Sequence, residues 1–312
     1  MIITVTLNPA LDKTLYIDKF DVGGVNRASK MRTDIGGKGI NVSKVLTNFG
    51  IESVCTGFLG GNLRDFFLEE LEFKSIRKRF INIKDNTRIN IKIVDRSSGM
   101  NTDINELGPE ITEAELNEFM ESFTSICSKD DIVVLSGGVS PSVPKDIYKK
   151  LISIAKDKGA ITILDAEGEL LREGLEAKPH IIKPNEHELS ALYNKDKVSK
   201  SELIEIASKL RKDGISKILI SMGAEGAVYL TDNGIFSAKA LKVPVKSTVG
   251  AGDSMVAAIV YSMLNHYDDS ETLRFATACG AATVSLEGTQ ACTLSQISDL
   301  INRIDVIVEE KK

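Results

Sequence analysis

Short apolar runs recur along the chain, and most are followed by a stretch whose apolar residues return every three or four positions. The runs are Ile2 to Leu7, Val54 to Phe58, Ile132 to Leu135, Ile161 to Leu164, Ile181 to Lys183 and Ile218 to Ser221. Helical periodicity fits Gly39 to Phe49, Glu113 to Ser125, Lys145 to Lys156, Glu186 to Leu192 and Lys200 to Lys212. Continuous apolar strands alternating with helices predict an α/β fold, a mostly parallel sheet with crossover helices on its faces. In such sheets ligands gather beyond the carboxyl ends of the strands. Asn8 and Asp12, Ser136-Gly137-Gly138, Asp165, Lys183-Pro184-Asn185 and Met222-Gly223-Ala224 fall there.

Two stretches break this rhythm. Thr14 to Phe20 with Lys30 to Ile35, and Thr87 to Val94 with Thr102 to Leu107, tend to period-two alternation with no helix between. In Arg88-Ile89-Asn90-Ile91-Lys92-Ile93 the polar residues share one face and the isoleucines the other. We read these segments, about 13–35 and 87–107, as a small β-sheet lid inserted in a single domain spanning 1–312. The isoleucine face packs either on a second copy of the lid, making a homodimer, or on its own domain. The tail Glu309-Glu310-Lys311-Lys312 reads as a solvated end.

With 312 residues, 42% of them hydrophobic and 27% charged, the chain can bury a large core. A net charge of −5 with interspersed lysines and arginines argues against a nucleic-acid partner. No apolar run reaches membrane-spanning length and no leader peptide is evident, so a cytoplasmic protein without membrane contact is expected. The four cysteines and three histidines lack zinc spacing, and the thiols are expected reduced and buried.

Candidate chemistry concentrates in two glycine clusters. Ser247-Thr248-Val249-Gly250-Ala251-Gly252-Asp253-Ser254 opens straight into the apolar stretch Met255 to Val260. Unpaired amides in a helix's first turn attract anions, and glycines let the main chain approach them. Asp253 at that joint is either an ordinary N-cap or a proton acceptor for an attacking hydroxyl. The second cluster, Gly36-Gly37-Lys38-Gly39-Ile40-Asn41, fails as a Walker loop because Gly39 stands where a Ser or Thr should follow the lysine. It is left as a tight turn with a surface lysine, or as a close-approach loop for hydroxyls or an anion. Neither cluster carries the dinucleotide fingerprint, which excludes an NAD-dependent dehydrogenase. Two glycine-rich helix starts, Asp253 and the lid arginine Arg88 suggest two bound partners with a phosphate between them, the layout of a phosphoryl transferase.

Asn8-Pro9-Ala10-Leu11-Asp12, Gly36 to Val42, Thr87-Arg88-Ile89-Asn90, Lys183-Pro184-Asn185-Glu186-His187-Glu188 and Val249 to Ser254 together resemble the ribokinase-like sugar kinases, in particular their 1-phosphofructokinase branch. The tagatose-6-phosphate kinase branch is very similar. The resemblance runs end to end and implies a ribokinase-like three-layer α/β/α sandwich. It implies ATP-dependent phosphorylation of a ketohexose monophosphate, with Mg²⁺ accompanying the nucleotide. The main alternatives are tagatose 6-phosphate as acceptor, or a nucleotide-binding regulator without chemistry.

Residue by residue, the resemblance implies that Asp253 is the base and that Gly250, Ala251 and Gly252 form the anion hole. Asp12, Gly36, Gly37, Asn41 and Asn90 would meet the sugar, with Lys38 and Arg88 on its phosphate. Arg27 would reach a neighbouring subunit's site or remain a surface arginine. Ser136 and Gly137 would touch substrate, although the Ser-Gly-Ser-Leu-Pro of the family is replaced here by Ser136-Gly137-Gly138-Val139-Ser140-Pro141. Lys183, Asn185, Ser221, Gly223, Gly226 and Thr248 would surround ATP, and Asn185 and Glu188 would organise Mg²⁺ through water. Asp165 would either sit close to the phosphates or serve as a strand-end cap, the reading preferred here. With no tryptophan in the chain, aliphatic side chains such as Ala281 and Val284 are expected on the adenine.

Overall fold

The computed structural model describes residues 1–195 and 198–311. The first strand, β1 (Ile2–Thr6), leads into β2 (Ala10–Ile17) and β3 (Lys30–Gly36), followed by α1 (Lys38–Asn48), β4 (Val54–Gly60), α2 (Arg64–Phe73) and β5 (Arg77–Ile83). A second hairpin, β6 (Arg88–Asp95) and β7 (Asn101–Asn105), precedes α3 (Glu113–Ile126), β8 (Ile132–Ser136), α4 (Ile147–Asp157), β9 (Ile161–Asp165) and α5 (Gly168–Glu176). Then come β10 (Ile181–Ile182), α6 (Glu186–Leu192), α7 (Lys200–Lys212), β11 (Lys217–Ser221), β12 (Ala227–Thr231) and β13 (Gly234–Ala238). The chain continues through α8 (Ala251–Leu264), α9 (Asp269–Val284), α10 (Leu294–Ile301) and β14 (Val306–Lys311).

The main sheet has ten strands in the order β14-β13-β12-β11-β10-β9-β8-β1-β4-β5. It is parallel from β5 to β11 and antiparallel from there to β14. One face carries α3 to α7 over a cluster built on Phe119, Leu151, Leu171, Leu189 and Leu203. The opposite face carries α1, α8, α9 and α10 over a second cluster, including Val45, Val256, Ile259, Leu273 and Ile297. Burial from both sides explains why β1, β4 and β8 are apolar without alternation. The fold is therefore a three-layer α/β/α sandwich with a mostly parallel sheet and a smaller four-stranded sheet, β3-β2-β6-β7.

In the small sheet, Asp12 pairs in register with Asn90 and Ala10 with Arg88, so their side chains share a face. The apolar face divides. Near the root, Leu11, Ile35 and Ile89 join Ile40, Phe67 and Leu71 in a third core cluster of the same chain. Toward the tip, Met31 and Ile104 are 64% and 54% exposed. The isoleucine face thus packs on its own domain at one end and lies open at the other.

The tail read as a solvated end is ordered: Val306–Lys311 is an edge strand paired with β13, with Glu309 exposed, and Lys312 lies outside the described residues. All four cysteines are buried and unbridged. No helix among the described residues is long and apolar enough to cross a membrane.

Close contact between β1 and β4 depends on Gly57, whose φ is +148° and whose added Cβ would stand 1.9 Å from the Thr6 carbonyl oxygen. Gly57→Ala combines a backbone collision with an unfavourable φ. It should cost about 3 kcal/mol or more of stability in urea unfolding.

Candidate functional site

A cleft of about 760 Å³ opens beyond the carboxyl ends of β1, β8, β9 and β10, and one face of the small sheet forms its far wall. Because β1 lies between β4 and β8, the connections diverge to either side of it, which is where parallel sheets leave a crevice. The cleft wall includes Thr6, Asn8, Ser136, Gly137, Asp165 and Lys183 from the sheet side and Asp12, Arg88, Asn90, Lys92 and Asp103 from the small sheet.

Two glycine-led helix starts meet in this cleft. Gly37 precedes α1 and Gly250, at φ +83°, precedes α8, whose first turn holds Asp253. The Asp253 carboxylate is buried and accepts a hydrogen bond from Asn41 Nδ2 at 2.8 Å, which ties α8 to α1 across 212 residues of sequence. Burial, reinforced by the negative Asp165, raises its pKa from 3.8 to about 6, with Lys38, Asn41 and Lys183 opposing the rise. It does not cap the helix: Gly250 is the N-cap, and among the described residues no side-chain cap bonds the start of α8. Such a carboxylate is ionised at neutral pH yet basic enough to take a proton.

Beside it lies a charge cluster. Lys183 is only 3% exposed, and its Nζ stands 3.3 Å from Asp165 Oδ1. Lys38 Nζ is 3.5 Å from the same oxygen and 4.0 Å from Glu188 Oε1. Burial opposes ionisation of Asp165, but the two ammonium groups outweigh it and hold its pKa below the ordinary value. Burial likewise works against the Lys38 charge, and the carboxylates of Asp165, Asp253, Glu188 and Glu167 more than offset it. The strand-end-cap reading of Asp165 is therefore corrected: its side chain binds lysines. A Cβ on Gly252 would lie 3.2 Å from Lys183 Nζ, so this ammonium stands against the first turn of α8.

The small-sheet side has different partners. Arg88 donates to the main-chain oxygens of Glu106 at 2.9 Å and Asn8 at 3.1 Å. Asn90 Nδ2 donates to Asp12 Oδ1 at 3.0 Å, and burial raises the Asp12 pKa despite that bond and nearby Lys44 and Arg88. Gly36 leaves room for this carboxylate, since a Cβ there would stand 2.1 Å from Asp12 Oδ2. Lys38 and Arg88, expected together on one phosphate, keep separate company: Lys38 joins Asp165, Glu188 and Asp253, whereas Arg88 joins Asp12, Asn8 and Glu106.

Buried polar atoms without a partner among the described residues mark what the cleft can bind. Asn8 Oδ1, Arg88 Nε, Asn90 Oδ1, Ser136 Oγ, Asp165 Oδ2 and Thr289 Oγ1 are of this kind, and all six residues line the cleft. Buried donors and acceptors of this kind need a polar ligand, and a hydroxyl-rich, phosphate-bearing one suits the mixture.

Asp12, Gly37, Lys38, Asn41, Arg88, Asn90, Ser136, Gly137, Lys183, Asn185, Glu188, Ser221, Thr248, Gly250, Gly252 and Asp253 all contribute to the cleft wall. Gly36, Ala251, Gly223, Gly226 and Arg27 do not. Ala251 turns its amide toward the Thr248 carbonyl at 3.5 Å. Gly223 is exposed, Gly226 turns the chain into β12, and Arg27 is exposed between β2 and β3. Ala281 is buried and Val284 half-buried on α9, both away from the cleft wall. Sequence reading missed the roles of Lys92, Asp103, Asn105, Glu106 and Thr289 on the wall. The alternation of β6 and β7 was the available signal for the first three.

The sequence model of the pfkB family carbohydrate kinases matches residues 5–296 of this chain. A 1-phosphofructokinase from Bacillus subtilis (strain 168) is 36% identical over 287 residues, covering 92% of this chain and 93% of the relative. A tagatose-6-phosphate kinase from Staphylococcus epidermidis is 35% identical over 311 residues, covering 98% of this chain and 99% of the relative. Among solved structures, phosphofructokinase-2 from Escherichia coli in complex with substrates and products superposes with a TM-score of 0.92 at 28% identity, over 97% of this chain and 98% of that one.

Proposed function

Since the chain belongs to the pfkB family of carbohydrate kinases, we propose that it transfers the γ-phosphoryl group of ATP to fructose 1-phosphate, giving fructose 1,6-bisphosphate and ADP. The observation that carries this reading is the buried Asp253 carboxylate, raised to about pKa 6 in a cleft whose other wall presents Arg88. The relatives named 1-phosphofructokinase supply the choice of acceptor.

In this mechanism Asp253 accepts the proton of the sugar's 6-hydroxyl as its oxygen attacks the γ-phosphorus and the bond to the ADP oxygen breaks. The amides of Gly250, just before α8, and of Gly252, in its first turn, together with the ammonium of Lys183 face the charge that spreads over the transferring group. Lys38, among Asp165, Glu188 and Asp253, serves the same transfer point. Arg88 receives the phosphate already on the sugar, where a guanidinium fork fits phosphate oxygens. Asp12, Asn41 and Asn90 orient hydroxyls, with Ser136 and Gly137 beside them. Thr248 and Ser221 flank the nucleotide.

Mg²⁺ bound with ATP would shield phosphate charge. Asn185 Oδ1 and Glu188 Oε2 are committed to a reciprocal helix cap at 2.8 and 2.9 Å, which leaves Glu188 Oε1 and the unpartnered Asp165 Oδ2 facing the cleft. Among the described residues no group of three His, Cys, Asp or Glu side chains could hold a metal ion. This donor set fits an ion held chiefly by phosphates and water, with the protein reaching it indirectly.

The small sheet acts as a lid over the acceptor, and its exposed tip, with Met31 and Ile104, pairs with a second copy of the chain. The whole chain, from 1 to 312, forms one kinase unit and works in the cytoplasm. A second reading, tagatose 6-phosphate as acceptor, is favoured by the relatives bearing that name.

ADP release coupled to a dehydrogenase, measured across fructose 1-phosphate, fructose 6-phosphate, tagatose 6-phosphate and fructose, tests the assignment. The highest kcat/KM should belong to fructose 1-phosphate. A higher value for tagatose 6-phosphate establishes the second reading, and a higher value for unphosphorylated fructose overturns both. In the same assay Arg88→Ala should raise the KM for the sugar phosphate about 10–100-fold with little change in the KM for ATP. A change confined to ATP would displace Arg88 from the acceptor phosphate.

A further inference from the structure

We propose that Lys44 is a positioning residue for the catalytic base: its ammonium holds the Asn41 amide with the NH₂ group toward Asp253, keeping that carboxylate aimed and ionised. The inference rests on Asp253 being the base and deepens that reading.

Lys44 lies on α1, three residues after Asn41, and is 7% exposed. Its Nζ donates to the Ile35 carbonyl oxygen and, at 3.3 Å, to Asn41 Oδ1. The other end of the same amide, Nδ2, donates to Asp253 Oδ2 at 2.8 Å. An ammonium only donates and an ionised carboxylate only accepts, so one orientation of the amide satisfies both. The flipped amide would set its NH₂ against the ammonium and its oxygen against the carboxylate. Only a protonated Asp253 could bond to that oxygen. The lock therefore selects the ionised base.

Lys44 does not line the reaction cleft. It borders a second cavity of about 360 Å³ with Arg32, Asp34, Thr47 and Lys74, so it acts on the cleft through Asn41. Among the described residues no carboxylate lies within ion-pair distance of its ammonium. Asp34 is already held by Arg32 at 2.6 Å. The charges that face Lys44 are Asp34 from β3, Asp12 from β2, Asp253 from α8 and Lys74 beyond α2. Those that face Asp253 include Asp165 from β9, Lys38 from α1 and Lys183 beyond β10.

Burial brings the Lys44 pKa down to about 8, with Lys74 adding to the decrease and Asp34, Asp12 and Asp253 opposing it. Asp253 ionises near 6, so between these values the carboxylate and the ammonium are both charged and the lock is engaged. Above about 8 the neutral amine can also accept a hydrogen bond, and the orientation loosens.

The test measures the Asp253 carboxyl directly, by carbon NMR of enzyme labelled at aspartate carboxyls, with Asp253→Asn identifying its signal. Lys44→Met keeps the length of the stem and removes charge and donors. It should raise the pKa of Asp253 by about one pH unit and move the acidic limb of the kcat profile up equally. Asn41→Ala should also raise it, and in that background Lys44→Met should add clearly less than it does in wild type, only what its charge contributes across space. Lys44→Arg, which restores charge and donors, should bring the limb back toward wild type. Lys44→Met enzyme that is folded and binds ATP normally, with an unmoved Asp253 titration, overturns the proposal even if kcat falls. An equal rise in the Asn41→Ala background overturns it too, because the effect then bypasses the amide. Should Lys44→Met fail to fold, an unmoved titration in Asn41→Ala is decisive against it. If Asp253→Asn keeps its turnover, the assignment of the base fails, while the NMR titration still reads the Lys44 coupling separately.

Discussion

Asp253→Asn is expected to lower kcat by about 10²–10⁴-fold while ATP and sugar phosphate continue to bind within a few-fold of wild type. The amide is isosteric with the carboxylate, so the first turn of α8 keeps its shape, but it cannot take up a proton at working pH. Isothermal titration and steady-state turnover on the same preparation separate the two effects. The pH dependence follows with a definite sign. Catalysis needs the ionised carboxylate, and its pKa is raised to about 6, so wild-type kcat should fall as pH drops through 6. That limb should be absent from the residual activity of the variant. Turnover in Asp253→Asn near the wild-type level would mean that another group, or none, accepts the proton.

The second large effect is on stability. Asp165→Asn preserves shape but leaves Lys183, 3% exposed, as a buried ammonium without its carboxylate. Breaking one side of a buried pair costs about 3–5 kcal/mol, which urea unfolding can read. Lys38, more exposed, adds little to this loss. The same substitution removes the negative charge that helps raise the Asp253 pKa, and it frees two ammonium groups to favour the ionised form. The acidic limb of the kcat profile should therefore shift below pH 6 even as the protein loses stability. Unfolding within about 0.5 kcal/mol of wild type would show that Lys183 finds another acceptor.

Much of the scaffold was legible because its signals are local. Strands such as Ile2–Thr6 and Ile132–Ser136 are buried on both faces, and their sequences are correspondingly unbroken in apolar character. The helices α6 and α7 begin and end where expected, helped by reciprocal caps from Asn185 with Glu188 and from Ser199 with Glu202. Other elements carried weak signals. In α9 nearly every side is covered, so Asp269–Val284 shows little periodicity. The edge strand β5, Arg77–Ile83, is rich in charge because one edge of it meets solvent, and β14 hides in an acidic and basic tail.

The site was legible in its glycine loops and in Asp253, where backbone geometry and residue type point the same way. It was not legible in its pairings. Nothing in the spacing of residues 38, 165, 183 and 188 tells that Lys38 joins the Asp165–Lys183 pair instead of Arg88, because those contacts depend on the order of β8, β9 and β10 beside β1. The bonds from Lys44 through Asn41 to Asp253 join α1 to α8 and appear only once the chain is folded. Glycines 223 and 226 were placed beside the nucleotide by the resemblance alone; in the fold Gly226 serves the reversal from β11 into β12, and neither glycine lines the cleft.

The most direct test is phosphorus NMR of the products formed from ATP and fructose 1-phosphate. The expected products are ADP and a sugar carrying two phosphate esters, in equal amounts. ADP with free inorganic phosphate and an unchanged sugar phosphate would show transfer to water, and would contradict the claim that Asp253 activates a sugar hydroxyl.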